Sequence, residues 1–338
     1  MGAPARNATP AGDHEAIGLP KHKVLLGGMF PEIFRSTLAE RFNVVGPLDG
    51  QFEEFVDALS VAEAKEIRAI VTMASATINS RIINALPALG IICCRGSGYD
   101  GVDMAAARAR GIAVTNAPGL SSSSVADMAM GLLIACARNM VAGRQVIEQG
   151  LWRDDTIHSA LRVRGLTGCR LGVFGLGAIG SKIAQRAEAF EMKIGYHNRQ
   201  PHPVTRHRYF ATLQDLADWA DVLMVSVRAS AENRHSINSQ VLGALGKGGF
   251  VINVSRGSVV DEGALVQALS SGVIAGAGLD VFEHEPAVPP SLLAMPNVAL
   301  TPHMGADTET VQTQGLRLVI DNLDSFFANR PLLTPVSI

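Results

Sequence analysis

Residues Arg170–Gly180 read RLGVFGLGAIG, and a helical pattern, SKIAQRAEAF, follows directly. A short apolar run, a Gly175-x-Gly177-x-x-Gly180 turn and a helix in that order leave few folds open to the chain. Leu171–Phe174 suits a buried parallel strand. Gly175 permits a tight turn, and Gly177 has no side chain to hold a ligand off the backbone. Gly180 lets the helix pack close to the strand. The free N–H groups at the helix start, with the helix dipole behind them, favour phosphate. The spacing in this context predicts a dinucleotide site at the edge of a parallel α/β sheet.

The rest of the chain carries the same alternation. Short runs rich in Val and Ile predict strands at Lys23–Gly27, Ala69–Met73, Gly90–Arg95 and Ile112–Thr115. Six more are predicted at Leu171–Phe174, Lys193–Tyr196, Val222–Val227, Phe250–Val254, Ala275–Leu279 and Val298–Thr301. Helical patterns fall between them, at Ser80–Ala85, Met104–Arg110, Ser124–Gln149, Ser181–Phe190 and Asp261–Ser271. Alternation of this kind means parallel sheets with helices on both faces. At 338 residues the chain suits two domains. We expect residues 23–118 plus 306–338 to form a smaller, flavodoxin-like domain and 119–305 a Rossmann-like dinucleotide domain, with the active site in a cleft between them. Residues 1–22 are expected to be a disordered tail.

Composition narrows the function. The chain is 47% hydrophobic and 18% charged, with a net charge of −2 and no basic tract, which argues against nucleic acid as a partner. No run reaches the roughly 18 apolar residues of a membrane span. The four cysteines, Cys93, Cys94, Cys136 and Cys169, form no C-x-x-C pair and fit a reducing, cytoplasmic setting.

The strand after the glycine helix ends in Tyr196-His197-Asn198-Arg199-Gln200. An NAD site places an acid here for the ribose 2′-OH, and none is present. Asn198 would not repel a 2′-phosphate and Arg199 would pair with one. NADP(H) is therefore the expected cofactor, with NAD(H) as the alternative. Three later strand ends carry polar residues where ligands of open α/β sheets sit. Arg256, in NVSRG, is suited to gripping the carboxylate and carbonyl oxygen of a 2-keto acid. His303, in LTPHMG, exchanges protons near neutral pH, and the carboxylate of Glu285 would orient its ring. Taken singly, each has an ordinary reading as a surface charge, a loop carboxylate and a structural histidine. A metal site at Glu283-His284-Glu285 and His303 is not expected, because no H-x-x-x-H or C-x-x-C supports it. The Ser121–Ser124 run lacks a nucleophile elbow and reads as a helix cap.

From Lys23 to Val336 the chain resembles the D-isomer-specific 2-hydroxyacid dehydrogenases. The matching stretches are Gly98–Asp103, Asn116–Gly119, Gly175–Gly180, Asn253–Asp261, Gly276–Pro286 and Thr301–Gly305. The Tyr-x-x-Arg ending of the second cofactor strand is most similar to the glyoxylate/hydroxypyruvate and hydroxyphenylpyruvate reductase branch. The resemblance implies Arg256, Glu285 and His303 as the catalytic set. It implies substrate contacts from Met73, Ala74, Ser97, Gly98 and Arg256, with the Ser97 and Gly98 N–H groups on the carboxylate. The implied cofactor contacts are Gly175, Leu176, Gly177, Ala178, Ile179 and Gly180, then Asn198, Arg199 and Gln200. They continue with Val227, Arg228, Val254, Ser255, Asp280, His303 and Gly305; Asp280 would hold the nicotinamide carboxamide. It also implies a homodimer that pairs through the cofactor domains.

The chain departs from the family pattern in three places. Ser123 and Ser124 stand where acids often precede Val125, Arg228 replaces the usual Pro, and the substrate loop reads Arg95-Gly96-Ser97-Gly98. The expected reaction is reduction of glyoxylate, hydroxypyruvate or an aryl pyruvate to the D-2-hydroxy acid. The alternatives are a phosphoglycerate dehydrogenase-type enzyme and a dinucleotide-sensing, corepressor-like binding protein.

Overall fold

The computed structural model describes residues 21–47, 52–73, 76–153 and 163–337. The expected tail, residues 1–22, falls outside them except for Lys21 and His22, and His22 stacks on Phe327 with ring centroids 3.9 Å apart. Two compact units are present. One holds the described residues as far as Cys94, with Gly101–Thr115 and the segment from Val319 onward; the other holds Arg95–Asp100 and Asn116–Leu318.

The first unit is a five-stranded parallel sheet in the order β2-β1-β3-β4-β5. Its strands are β1 (Lys23–Gly27), β2 (Asn43–Val45), β3 (Ile67–Thr72), β4 (Ile91–Cys94) and β5 (Ala113–Thr115). Four strands were expected; β2 is the addition. Only three residues long, it lies at the sheet edge against β1, too short for a pattern to show.

The second unit is a seven-stranded parallel sheet in the order β12-β11-β10-β9-β6-β7-β8. Its strands are β6 (Arg170–Phe174), β7 (Lys193–His197), β8 (Arg208–Tyr209), β9 (Val222–Val225), β10 (Phe250–Asn253), β11 (Gly276–Leu279) and β12 (Val298–Leu300). Six were expected, and the two-residue β8 is the seventh. The chain starts in the middle of this sheet, moves out to β8, then returns to β9 on the other side of β6. The strand order thus reverses between β6 and β9, which is where doubly wound sheets open a crevice for ligands.

Both faces of this sheet are covered, which is why its strands read as unbroken apolar runs. Val222 and Met224 pack with Val125, Leu133 and Ile183 on one face. Leu223 and Val225 pack with Leu216, Leu242 and Leu265 on the other. Each fully buried side chain of this size contributes about 1.5–3 kcal/mol.

Two further expectations are corrected. The single helix Ser124–Gln149 is two helices, Ser122–Ala137 and Met140–Glu148, bent by 57°. Asn139 lies between them in the left-handed region, with φ 53°, and cannot continue a right-handed helix. The boundaries at 118 and 306 also shift. Arg95–Asp100 joins the second unit because Ala117 N–H donates to Gly96 O (2.9 Å) and Asn116 Nδ2 to Ser97 O (2.7 Å). The final helix, Glu309–Phe327, begins among residues of the second unit and ends among residues of the first. Among the described residues no single helix is long and apolar enough to cross a membrane.

Candidate active site

The glycine turn sits at the carboxyl end of β6, facing the segment that follows β9. Gly175 has φ +99°, a conformation that disfavours any side chain, and a methyl there would stand 2.6 Å from the Val227 backbone. A methyl on Gly180 would collide with the Gly175 carbonyl, so the helix Ala178–Ala189 rests on the strand as the spacing predicted. At Gly177 a methyl would meet nothing within 4 Å. The open side of the turn therefore lies beside Gly177, where Ala178 and Ile179 begin the helix. A small anionic group fits there against free backbone donors.

Asn198, at the end of β7, accepts a hydrogen bond from the Leu176 N–H at 2.7 Å. The residue that replaces the usual acid thus braces the glycine turn itself. Arg199 extends into solvent, with 91% of its side chain exposed and Glu232 no closer than 3.8 Å; Gln200 is exposed beside it. Arg228, left between cofactor contact and solvated charge by sequence, stacks over the Tyr99 ring at 4.2 Å.

The three candidate groups Arg256, Glu285 and His303 follow β10, β11 and β12, which are adjacent in the sheet. After β10 the turn Val254-Ser255-Arg256 is organised by buried Asn253. Its Oδ1 accepts from Ser255 N–H and Oγ–H (3.0 and 2.8 Å), and its Nδ2 donates to Arg256 O (3.0 Å). Gly257 comes next because nothing larger fits: a methyl there would overlap the Phe282–Glu283 peptide. This close approach brings Arg256 beside the Glu285 loop.

Glu285 Oε2 lies 2.7 Å from His303 Nδ1, and Glu285 Oε1 accepts from Phe282 N–H at 3.0 Å. Burial pushes the Glu285 carboxyl up, but the His303 hydrogen bond, the Phe282 amide and the charges of His303 and Arg256 outweigh it and hold it below the usual carboxylate range. Glu283, two residues earlier, turns to other partners, Arg234 at 2.6 Å and His235 at 2.8 Å.

His303 has φ 52°, unusual for a residue with a side chain. Asp280, only 2% exposed, holds this turn. Its carbonyl accepts from His303 N–H (2.7 Å), and its carboxylate from Thr301 Oγ1 (2.6 Å), Met304 N–H and Gly305 N–H (both 2.9 Å). Where the resemblance gives Asp280 a cofactor contact, its partners in the structure are the residues around His303. A methyl on Gly305 would press on that carboxylate at 2.8 Å.

On the substrate loop, Ser97 Oγ lies 3.2 Å from Ser121 Oγ. Ser121 holds the N-cap position of the helix Ser122–Ala137, yet its hydroxyl makes no capping bond, so the run is not the side-chain cap expected. Among the described residues nothing accepts from the Ser97 or Gly98 N–H groups. Met73 follows β3 in the first unit, and Ala74 lies outside the described residues.

Sequence reasoning missed three residues beside Arg256: Asn253, Gly257 and Asp100, the last of which pairs with the Arg256 guanidinium. Asn253 and Gly257 flank Arg256 in a motif singled out for the arginine alone. Asp100 was read only as part of Gly98–Asp103.

The sequence model described as "D-isomer specific 2-hydroxyacid dehydrogenase, NAD binding domain" matches residues 130–305. A hydroxyphenylpyruvate reductase from Plectranthus scutellarioides is 39% identical over 274 residues, 81% of this chain and 87% of that protein. A glyoxylate reductase from Pyrococcus horikoshii is 36% identical over 315 residues, 90% of this chain and 93% of that protein. Among solved structures, an NADPH-dependent glyoxylate/hydroxypyruvate reductase from Sinorhizobium meliloti, in complex with NADP and malonate, superposes with a TM-score of 0.84. It is 38% identical, and the match covers 94% of this chain and 97% of that one.

Proposed function

Because the chain belongs to the D-isomer-specific 2-hydroxyacid dehydrogenases, an NAD(P)-dependent oxidoreductase family, we propose that it reduces a small 2-keto acid to the D-2-hydroxy acid with NADPH. The observation that carries this is the 2.7 Å Glu285–His303 pair, set one strand away from the Arg256 turn. It joins a proton donor to a guanidinium suited to a keto acid.

Arg256 and the free Ser97 and Gly98 amides hold the carboxylate and carbonyl oxygen of the substrate. The bound nicotinamide supplies the hydride that the keto carbon accepts. Glu285 stays ionised and accepts from Nδ1–H of His303, which leaves Nε2–H to donate its proton to the carbonyl oxygen. Arg256 and protonated His303 stabilise the negative charge that grows on that oxygen, so their contribution is larger in the transition state than in the bound ground state.

The glycine turn with Ala178 and Ile179 holds the pyrophosphate, and Asn198, Arg199 and Gln200 the adenosine ribose. Val227, Arg228, Val254, Ser255, Asp280 and Gly305 complete the cofactor contacts. Exposed Arg199, with no acid at the strand end, supports NADPH over NADH, as does the NADP-bound relative. The helix Met140–Glu148 buries none of its residues, and Met140, Ile147 and the following Trp152 are 57%, 64% and 62% exposed. This apolar face supports a homodimer formed through the second unit. Four free, buried cysteines support a cytoplasmic location.

Initial rates with glyoxylate, hydroxypyruvate and hydroxyphenylpyruvate, each with NADPH and NADH, test the reading. We expect NADPH oxidation with at least one acid and a D-configured product. No oxidation with any of them overturns it.

A further inference from the structure

Arg256 has more hydrogen-bond donors than a keto acid needs, and the structure shows where the others go. Its Nε–H donates to Asp100 Oδ2 at 3.1 Å, and Nη2 stands 3.0 Å from the same oxygen in an ion pair. Its Nη1 donates to Ser255 O at 2.7 Å, back toward its own main chain. A guanidinium has five N–H bonds in one plane. With the Nε/Nη2 side edge on Asp100 and one Nη1–H on Ser255, one N–H of Nη1 and one of Nη2 remain. These two lie parallel on the end edge of the plane, the geometry that grips two oxygens at once. The Asp100 and Arg256 side chains are each 32% exposed, so solvent and substrate reach the pair.

We propose that Asp100 is a positioning residue: by clamping the side edge of the Arg256 guanidinium, it turns the free end edge into a fixed two-pronged fork for the 2-keto acid. The inference rests on the reading of Arg256 given above. Asp100 belongs to the same short loop as Ser97 and Gly98, whose amides are the other carboxylate donors. One ion pair therefore sets the distance between the two halves of the substrate grip. Arg228 over Tyr99 holds the adjacent residue of the loop in the same way. An Arg left unclamped at position 256 would still carry its charge, but its long side chain would have to be ordered by each incoming substrate.

Two variants test this, Asp100→Ala and Asp100→Asn. Misplacing a substrate-orienting group costs on the order of a hundredfold. We expect Asp100→Ala to lower kcat/KM for the keto acid by about that factor, with a raised KM for the acid and an unchanged KM for NADPH. Asp100→Asn keeps an acceptor oxygen and should recover part of the loss. A merely structural role would move stability and both KM values together. A fall in KM for the keto acid in Asp100→Ala would overturn the proposal, because Asp100 would then be occupying the substrate's place. A crystal structure of Asp100→Ala is the readout that does not depend on turnover. Arg256 in an unchanged, ordered rotamer there would also overturn the proposal, whatever the wild-type enzyme reduces. Failure of the wild type with every keto acid bears instead on the proposed function.

Discussion

The two ends of the seven-stranded sheet use the same chemistry to opposite effect. At the amino ends, Asp221 sits just before β9 and accepts from Arg170 N–H (2.8 Å), Arg170 Nε (3.1 Å) and Nη2 (3.2 Å), and Arg164 (3.0 Å). Burial raises its pKa, but these donors overcome that and pull the carboxyl down to about 2. Its backbone also joins the network, with Asp221 N–H donating to Arg170 O and Phe250 N–H to Asp221 O. These donors all meet one protein carboxylate already in place. At the carboxyl ends, Arg256 keeps a free fork, His303 a free Nε2 and Arg199 an almost bare guanidinium. The lesson is that a charge cluster becomes a reactive site when its donors outnumber its internal acceptors. A saturated cluster is a fastener.

The largest effect that would break this contrast is at His303. His303→Ala should lower kcat about 10²–10⁴-fold while the NADPH dissociation constant holds, as read by steady-state rates and fluorescence titration. Unchanged turnover would remove the histidine from the mechanism. Gly257→Ala touches no reacting atom, yet its methyl overlaps the Phe282–Glu283 peptide and must push Arg256 away from the Glu285 loop. It should cost kcat/KM about a hundredfold with NADPH affinity nearly intact. Equal losses in both would point to collapse of the whole sheet edge.

A smaller effect sharpens the account of Arg199. Arg199→Ala should raise KM for NADPH about tenfold and leave KM for NADH in place, since only the former carries a 2′-phosphate to pair with. A parallel rise in both would deny the residue any part in choosing the cofactor.

The smallest catalytic effect belongs to the amino end. Asp221→Asn should leave kcat unchanged and lower stability by roughly 1–2 kcal/mol after allowing for solvent screening. Its folded pKa lies below the unfolded value of about 3.9, so the stabilisation is complete above that pH and is lost as pH falls toward 2. Urea midpoints measured across that window should converge for wild type and variant at the acid end. A difference that persists there would mean the carboxylate charge is not what matters.

Much of this was legible in the chain. The glycine turn, ten of the twelve strands and the position of Arg256, Glu285 and His303 after strand ends all follow from local patterns, because apolar periodicity and turn chemistry act between near neighbours. β2 and β8 escaped because three and two residues are too few to carry a period. The break at Asn139 escaped because the apolar pattern continues across it.

Which polar residues could react, and on which side of a sheet they would emerge, was determined by the order of amino acids alone. Whom those residues hold was decided by tertiary structure. Asn198 bracing Leu176, Asp280 stapling the His303 turn and Asp100 clamping Arg256 join positions 22 to 156 residues apart. Hydrogen-bond partners at that range are chosen by where the strands deliver them. No local pattern encodes that choice, because the energy that makes it is earned only after the sheet has formed.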